Sequence, residues 1–335
     1  MQSDLDNWLG QVQEDPIEPE LPICDAHHHL WDRPGNRYLI DDLARDASGL
    51  NIVSTVFIEC MASYRENGPE QMKPVGETVF IETMAEEFQS KGGQRMNCSA
   101  AIISYADLRL GEAVEPVLDA HREASPNRFR GIRHNVCLDD SPEVPSSHTR
   151  PTKGLLLDSG FRKGVRCLLK QGLLYEVYLY HPQLLELADL ARTFPDQPIV
   201  LNHFGGPLGV GSYAGKRDEV MAVWKRSITE LATCPNVVAK LGGIAMPRNG
   251  FGWHEREKPP TSRELAEATA PYYHFTIDSF GPDRCMFESN FPVEKVSCSY
   301  TVLWNSFKRI ASQYSDSEKA AMFRGVAEQV YSIGN

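Results

Sequence analysis

The sequence has no apolar run approaching the roughly 20 residues that cross a bilayer, so a membrane-spanning helix is not expected. It has no excess of positive charge. Its 34 Lys and Arg stand against 45 Asp and Glu, and the net charge of −11 argues against a nucleic-acid or anionic-membrane partner. No CxxC pair occurs among its eight cysteines, most of which sit in apolar runs; they read as reduced core thiols of a cytoplasmic protein, not as a disulfide framework. The start, Met1-Gln2-Ser3-Asp4-Leu5-Asp6, lacks the basic segment and apolar core of a signal peptide. No GxSxG elbow is present, which removes the serine esterases of that type. Gly209-Val210-Gly211-Ser212-Tyr213-Ala214 fits GxGxxA loosely, but it follows its strand at a distance and no compact βαβ unit surrounds it, so no nucleotide site is expected.

What is present is a histidine-tipped strand, Ile23-Cys24-Asp25-Ala26-His27-His28-His29. Strand side chains alternate between faces, so Asp25, His27 and His29 are expected on one face and His28 on the other. Two imidazoles projecting from the end of one strand can share a divalent ion. Seven further strand-like runs follow: 52–60, 97–104, 128–136, 174–180, 198–203, 236–242 and 284–289, with helical segments between them. Eight strand–helix units in one uninterrupted chain predict an α/β fold, a (β/α)8 TIM barrel over 22–335 preceded by an N-terminal arm over 1–21. A doubly wound open sheet is the main rival.

Polar residues cluster at the C-terminal ends of these runs, where a barrel assembles its site. Glu59 ends the second, Arg133 and His134 come late in the fourth, Tyr178 and Tyr180 end the fifth and His203 the sixth. Lys240 is late in the seventh, and Glu288 and Asn290 end the eighth. His134 is expected to face away from Arg133.

Asp25-Ala26-His27-His28-His29-Leu30-Trp31, Gly131-Ile132-Arg133-His134, Leu201-Asn202-His203-Phe204-Gly205 and Met286-Phe287-Glu288-Ser289-Asn290-Phe291-Pro292 together resemble the amidohydrolase-2 branch of metal-dependent TIM-barrel hydrolases, which includes pyrone-dicarboxylate hydrolases and sugar lactonases. The resemblance covers about 22–335. It implies that His27 and His29 bind metal and that His203 is a ligand or polarises the substrate. The family's usual metal-binding, water-activating aspartate after the last strand is replaced here by Asn290, whose amide is neither a base nor a strong ligand. The expected cofactor is therefore one divalent ion, zinc or manganese, held weakly or exchangeably. The same scaffold also supports non-oxidative decarboxylation, and a non-catalytic ligand-binding barrel is the rival of another class.

The expected reaction is hydrolysis of a small lactone or related carbonyl compound carrying a carboxylate or hydroxyls. The expected partner is that small molecule; the sequence leaves a homo-oligomer open. Arg133 would pair with a substrate carboxylate or with an internal acid such as Glu59. Tyr178 and Tyr180 would offer hydroxyls to substrate or pack as core. Trp253 and His254 stand in the loop after the seventh strand, Trp253 as a substrate wall and His254 as an extra acid–base group. Glu288 is expected one layer below Asn290 and paired with Lys240, either structurally or as the carboxylate that Asn290 lacks. His27, His29, His203 and Asn290 should gather within about 10 Å of one another at one end of a closed barrel.

Overall fold

The computed structural model describes residues 2–92 and 96–334; Met1, 93–95 and Asn335, parts of the expected arm and barrel, lie outside them. Eight parallel strands follow one another around a barrel in chain order: β1 Ile23–His28, β2 Ile52–Ile58, β3 Asn97–Ser104, β4 Phe129–Arg133, β5 Leu174–Val177, β6 Ile199–Leu201, β7 Val237–Leu241 and β8 Cys285–Phe287. The open-sheet rival is thereby set aside. Several strands end earlier than their apolar runs, because the polar residues that follow turn into short 3-10 segments such as His203–Gly205.

The helices form where the sequence places a stripe. Ser159–Lys170 buries Phe161, Val165 and Leu168, spaced for one face, and Asp158 caps it by accepting from the Phe161 amide at 2.8 Å. Ser262–Phe280 starts in a Thr261–Glu264 capping box. Burial of each such apolar side chain is worth roughly 1.5–3 kcal/mol. Three elements have no counterpart in the sequence reading: a short helix Gln2–Leu9, a hairpin Trp31–Arg33 with Asn36–Tyr38, and a helix Ile40–Asp46 after the first strand. Among the described residues no helix is long and apolar enough to cross a membrane.

The barrel closes between β8 and β1 through a seam that is mostly not ladder. One bridge joins His28 and Phe291. The Asn290 amide donates to the His27 carbonyl at 2.8 Å, and the His29 amide to the Phe291 carbonyl at 2.7 Å. The Asp25 carboxylate completes the seam. It accepts from the Ser289 amide at 2.8 Å, the Ser289 hydroxyl at 2.6 Å and the Tyr300 hydroxyl at 2.8 Å.

That role corrects the expectation for Asp25. In the pairing of β1 with β2, Asp25 opposes Thr55 but His28 opposes Phe57, so three steps on one strand meet two on the other. This bulge breaks the alternation. Cys24 and Ala26 fill the barrel interior with Val56, Ile58 and Met286. Asp25 and His28 turn toward the helices, His28 against Thr55 at 2.9 Å, while His27 and His29 turn inward. Asp25 therefore does not share a face with the two histidines.

Two buried histidines outside the barrel mouth make acid stability predictable. His121 bridges the Thr78 hydroxyl (2.8 Å) and the Tyr105 carbonyl (3.0 Å), and His181 accepts from the Leu208 amide at 3.4 Å. Burial lowers both to about 4. The unfolded chain then binds more protons than the folded one below the ordinary histidine value near 6.5. The stability they contribute is full above that value, falls as pH drops below it, and is gone below about 4. On the order of 2–3 kcal/mol for each is expected to disappear across that window. Burial raises the carboxyls of Asp25, Glu77 and Glu294, which shift stability the other way, so thermal melting of the wild type beside His121→Gln and His181→Gln from pH 8 to pH 4 checks this: the same pH slope in all three between 6.5 and 4 contradicts it.

Candidate active site

At the C-terminal end of the barrel, His27, His203 and Glu288 each bring one donor atom into a group whose members lie within 4.8 Å of one another. Glu288 Oε1 is 2.6 Å from His203 Nδ1, and Oε2 is 2.8 Å from His27 Nδ1. Oε2 is buried and has no hydrogen-bond partner. On the other side of His27, its Nε2 stands 3.1 Å from His29 Nε2. His29 Nδ1 lies 2.7 Å from the Ile58 carbonyl oxygen, which only accepts, so the proton of the neutral ring sits there and Nε2 carries the lone pair. Burial holds His27 and His29 well below the ordinary histidine range, with neighbouring cations adding to the effect. Burial also lowers His203, against the opposing pull of Glu288. Neutral imidazoles around a carboxylate oxygen that lacks a donor are the forms that bind a divalent ion, so this donor set fits one. The site needs Gly243 for space: a β-carbon there would fall 2.2 Å from His203 Nδ1, on a backbone with φ of +73°.

Around this centre the loops after β2, β4, β5 and β7 supply the wall. Arg133 donates from Nε to Glu59 Oε1 at 2.9 Å and from Nη2 to the Glu59 carbonyl at 2.5 Å, and its Nη1 is 3.3 Å from His27 Nε2. The Tyr178 ring meets the His203 ring edge to face at 4.8 Å, and its buried hydroxyl has no partner. Tyr180 lies against Tyr178 and receives a hydrogen bond from Arg248 at 3.3 Å. The whole centre is enclosed: Glu288 and His27 are 0% exposed and His203 is 3%.

The amidohydrolase model of protein families matches residues 24–333. The chain belongs to the amidohydrolase family. An uncharacterised protein of Sinorhizobium fredii, y4mH, is 31% identical over 94% of this chain and 99% of its own length. An L-fucono-1,5-lactonase of Burkholderia multivorans is 24% identical over 92% of this chain and 95% of its own. A crystal structure of a Burkholderia multivorans amidohydrolase with bound zinc superposes with a TM-score of 0.70 at 24% identity, covering 93% of this chain and 99% of that one.

Within this amidohydrolase the expected residues divide. His27, His29, His203, Glu288, Arg133, Glu59 and Tyr178 are brought together. Arg133 pairs with Glu59, the internal acid of the two partners open to it, and His134 faces the helices against Phe161, as expected. Asn290 reaches the cluster through its backbone, in a left-handed conformation with φ of 53°; it is Glu288, two residues earlier, whose carboxylate enters the histidine group. His254 is not brought in. Its side chain is 33% exposed and lies 3.8 Å from Glu255. Trp253 stacks on Phe251 at 5.7 Å, on the helix side of its loop.

The expected Glu288–Lys240 pair is not formed. Lys240 Nζ donates to Glu176 Oε2 at 2.9 Å, both fully buried, and approaches His27 Nδ1 only at 3.5 Å. Glu176 also receives the Asn202 amide at 2.9 Å and the Tyr331 hydroxyl at 2.5 Å. Glu288 is drawn instead to the two imidazoles. Sequence reasoning missed Glu176, Arg248 and His148. Glu176 left a signal, a carboxylate in the apolar run Leu174–Val177 two residues before Tyr178. Arg248 and His148 lie in loops with no period to read.

Proposed function

We propose that this amidohydrolase opens the ring of a small lactone bearing carboxylate or hydroxyl groups, using one divalent ion, zinc or manganese, held by His27, His203 and Glu288 with His29 beside them. The observation that carries the reading is the buried Glu288 carboxylate set between two neutral imidazoles, Oε1 2.6 Å from His203 and Oε2 2.8 Å from His27. The bound ion would polarise the lactone carbonyl or lower the pKa of a water. The expected weakness of that ion rested on a missing anion; Glu288 supplies one, so a stoichiometric ion is proposed. The lactonase name of one relative and the zinc in one neighbour support the same reading.

The chain's own residues would do the rest. Glu288 holds both imidazoles in place and contributes the negative charge. Arg133 fixes Glu59 beside the centre. Arg248 is held by two phenols, Tyr180 by hydrogen bond and Tyr178 by its ring at 5.8 Å, which leaves guanidinium donors for a substrate anion. The eight free cysteines accord with a reducing compartment, and a cytoplasmic location is proposed with it.

The test is turnover. Protein supplied with zinc or manganese is expected to release acid from one or more members of a panel of sugar lactones and pyrone dicarboxylates, without carbon dioxide. Carbon dioxide from hydroxylated benzoates, with every lactone left intact, would move the reading to decarboxylation. Failure to take up either metal would remove the ion from it.

A further inference from the structure

At the centre the basic groups are enclosed or already engaged: the His29 lone pair faces His27 Nε2 at 3.1 Å, and Glu59 is paired with Arg133. Glu288 is occupied by two imidazoles, Asn290 is an amide, and His254 lies beside Glu255 away from the cluster. We propose that His148, oriented by Glu59, is the acid–base residue of the lactone hydrolysis; the assignment rests on the lactonase reading above.

His148 stands in the loop after β4 with its Nε2 3.4 Å from Glu59 Oε2. Both atoms are buried and neither has a hydrogen-bond partner, so the two face each other as a close approach, not yet a formed bond. The separation is long for a formed hydrogen bond, as catalytic contacts commonly are before substrate binds. A carboxylate only accepts, so it selects the ring form with the proton on Nε2 and leaves Nδ1 as the acceptor, the logic of an imidazole held by a buried acid. The side chain is 21% exposed, against 0% for Glu59 and 6% for Arg133, so this ring is the member of the group most open to solvent.

The loop is built to hold it there. Ser147 and Thr149, on either side, both donate to the Asn135 carbonyl, at 3.3 and 2.6 Å, and their hydroxyls lie 2.6 Å apart. The Ser147 amide donates to the Cys137 carbonyl at 3.0 Å. The Tyr105 ring meets the His148 ring at 5.6 Å and has His134 on it at 5.4 Å. Glu59 is tied on its other oxygen to Arg133, which touches His27. The dyad is thereby joined to the proposed metal centre through one guanidinium. Pinned flanks, a buried acid and an exposed ring edge are what a positioned proton carrier requires.

The step balances without a co-reactant other than water. Water oxygen forms a bond to the lactone carbonyl carbon as its proton moves to His148 Nδ1. The bond from that carbon to the ring oxygen then breaks, its electron pair stays on the ring oxygen, and His148 returns the proton there. The product is the open hydroxy acid.

With a lactone that the wild type opens, His148→Gln and His148→Ala are expected to lose at least about 100-fold in kcat, with KM, zinc content and melting temperature unchanged. Added imidazole is expected to restore part of the His148→Ala rate, and Glu59→Gln to lose kcat as well. Rates within about threefold of wild type, a loss confined to KM, or no rescue by imidazole would overturn the assignment. If the wild type opens no lactone, the lactonase reading fails by itself, and the dyad is decided by long-range proton–nitrogen NMR. The neutral His148 ring is expected as the Nε2–H form, shifting toward Nδ1–H in Glu59→Gln. A wild-type Nδ1–H ring overturns the dyad whatever the substrate.

Discussion

Replacing Glu288 by glutamine is expected to empty the proposed metal site while the barrel stays folded. Glutamine keeps the shape but presents a neutral amide to His27 and His203, so the centre loses its negative charge. Removing an outer partner of a metal ligand typically weakens binding 10- to 100-fold. Loss of the carboxylate at the centre of the donor group should exceed that, so zinc binding at least about 100-fold weaker is expected, with turnover falling in step. Equilibrium dialysis with elemental analysis reads the first and the lactone assay the second. Asn290→Asp should retain zinc, because Glu288 already supplies the carboxylate of the donor group. Full zinc occupancy and full activity in Glu288→Gln would end the assignment of Glu288. A large fall in melting temperature with zinc retained would make its role one of packing.

The second large effect belongs to the pair below. Lys240 and Glu176 are both 0% exposed and depend on each other. Changing Glu176 to leucine leaves an ammonium in the barrel interior beside the His27 ring at 3.5 Å and the Tyr331 ring face at 5.4 Å, without an anion, and breaking such a buried pair typically costs about 3–5 kcal/mol. A fall in melting temperature of roughly 4–7 °C is expected for a chain of this length. The double change Glu176→Leu with Lys240→Met should recover much of it, since paired apolar replacement of a buried ion pair is often neutral. A double variant less stable than either single one would mean that Tyr331 and Asn202, left without Glu176, matter more than the charges do.

The fold could be read in the sequence because eight short strand-like runs alternate with striped helices, and three of them, β2, β6 and β7, are apolar and rich in branched side chains. What escaped was set by non-local geometry. The bulge in β1 depends on how that strand fits its neighbour, and nothing in Ile23–His29 itself marks it; strict alternation put Asp25 beside the histidines when it belongs to the seam. His27, His29, His203 and Arg133 were readable as polar residues at strand ends. Lys240 was correctly taken as buried, but its partner was chosen from the adjacent strand instead of from β5, two strands away, where a longer side chain reaches across the lumen. His148 and Arg248 sit in loops fixed by hydroxyl and backbone contacts, which carry no periodic signature.

The seam between the first and last strands has a mechanical consequence. Elsewhere around the barrel, neighbouring strands pair over three or four residues, with bulges among the first four strands; here a single bridge, the backbone bonds beside it and the Asp25 carboxylate hold the two lips. His27 stands on one lip and Glu288 on the other, 2.8 Å apart. An ion gripped by both is a rivet across the weakest join of the wall. Its departure would unfasten the staves before it loosened the hoop, and the route by which the cylinder yields would run through the proposed metal centre.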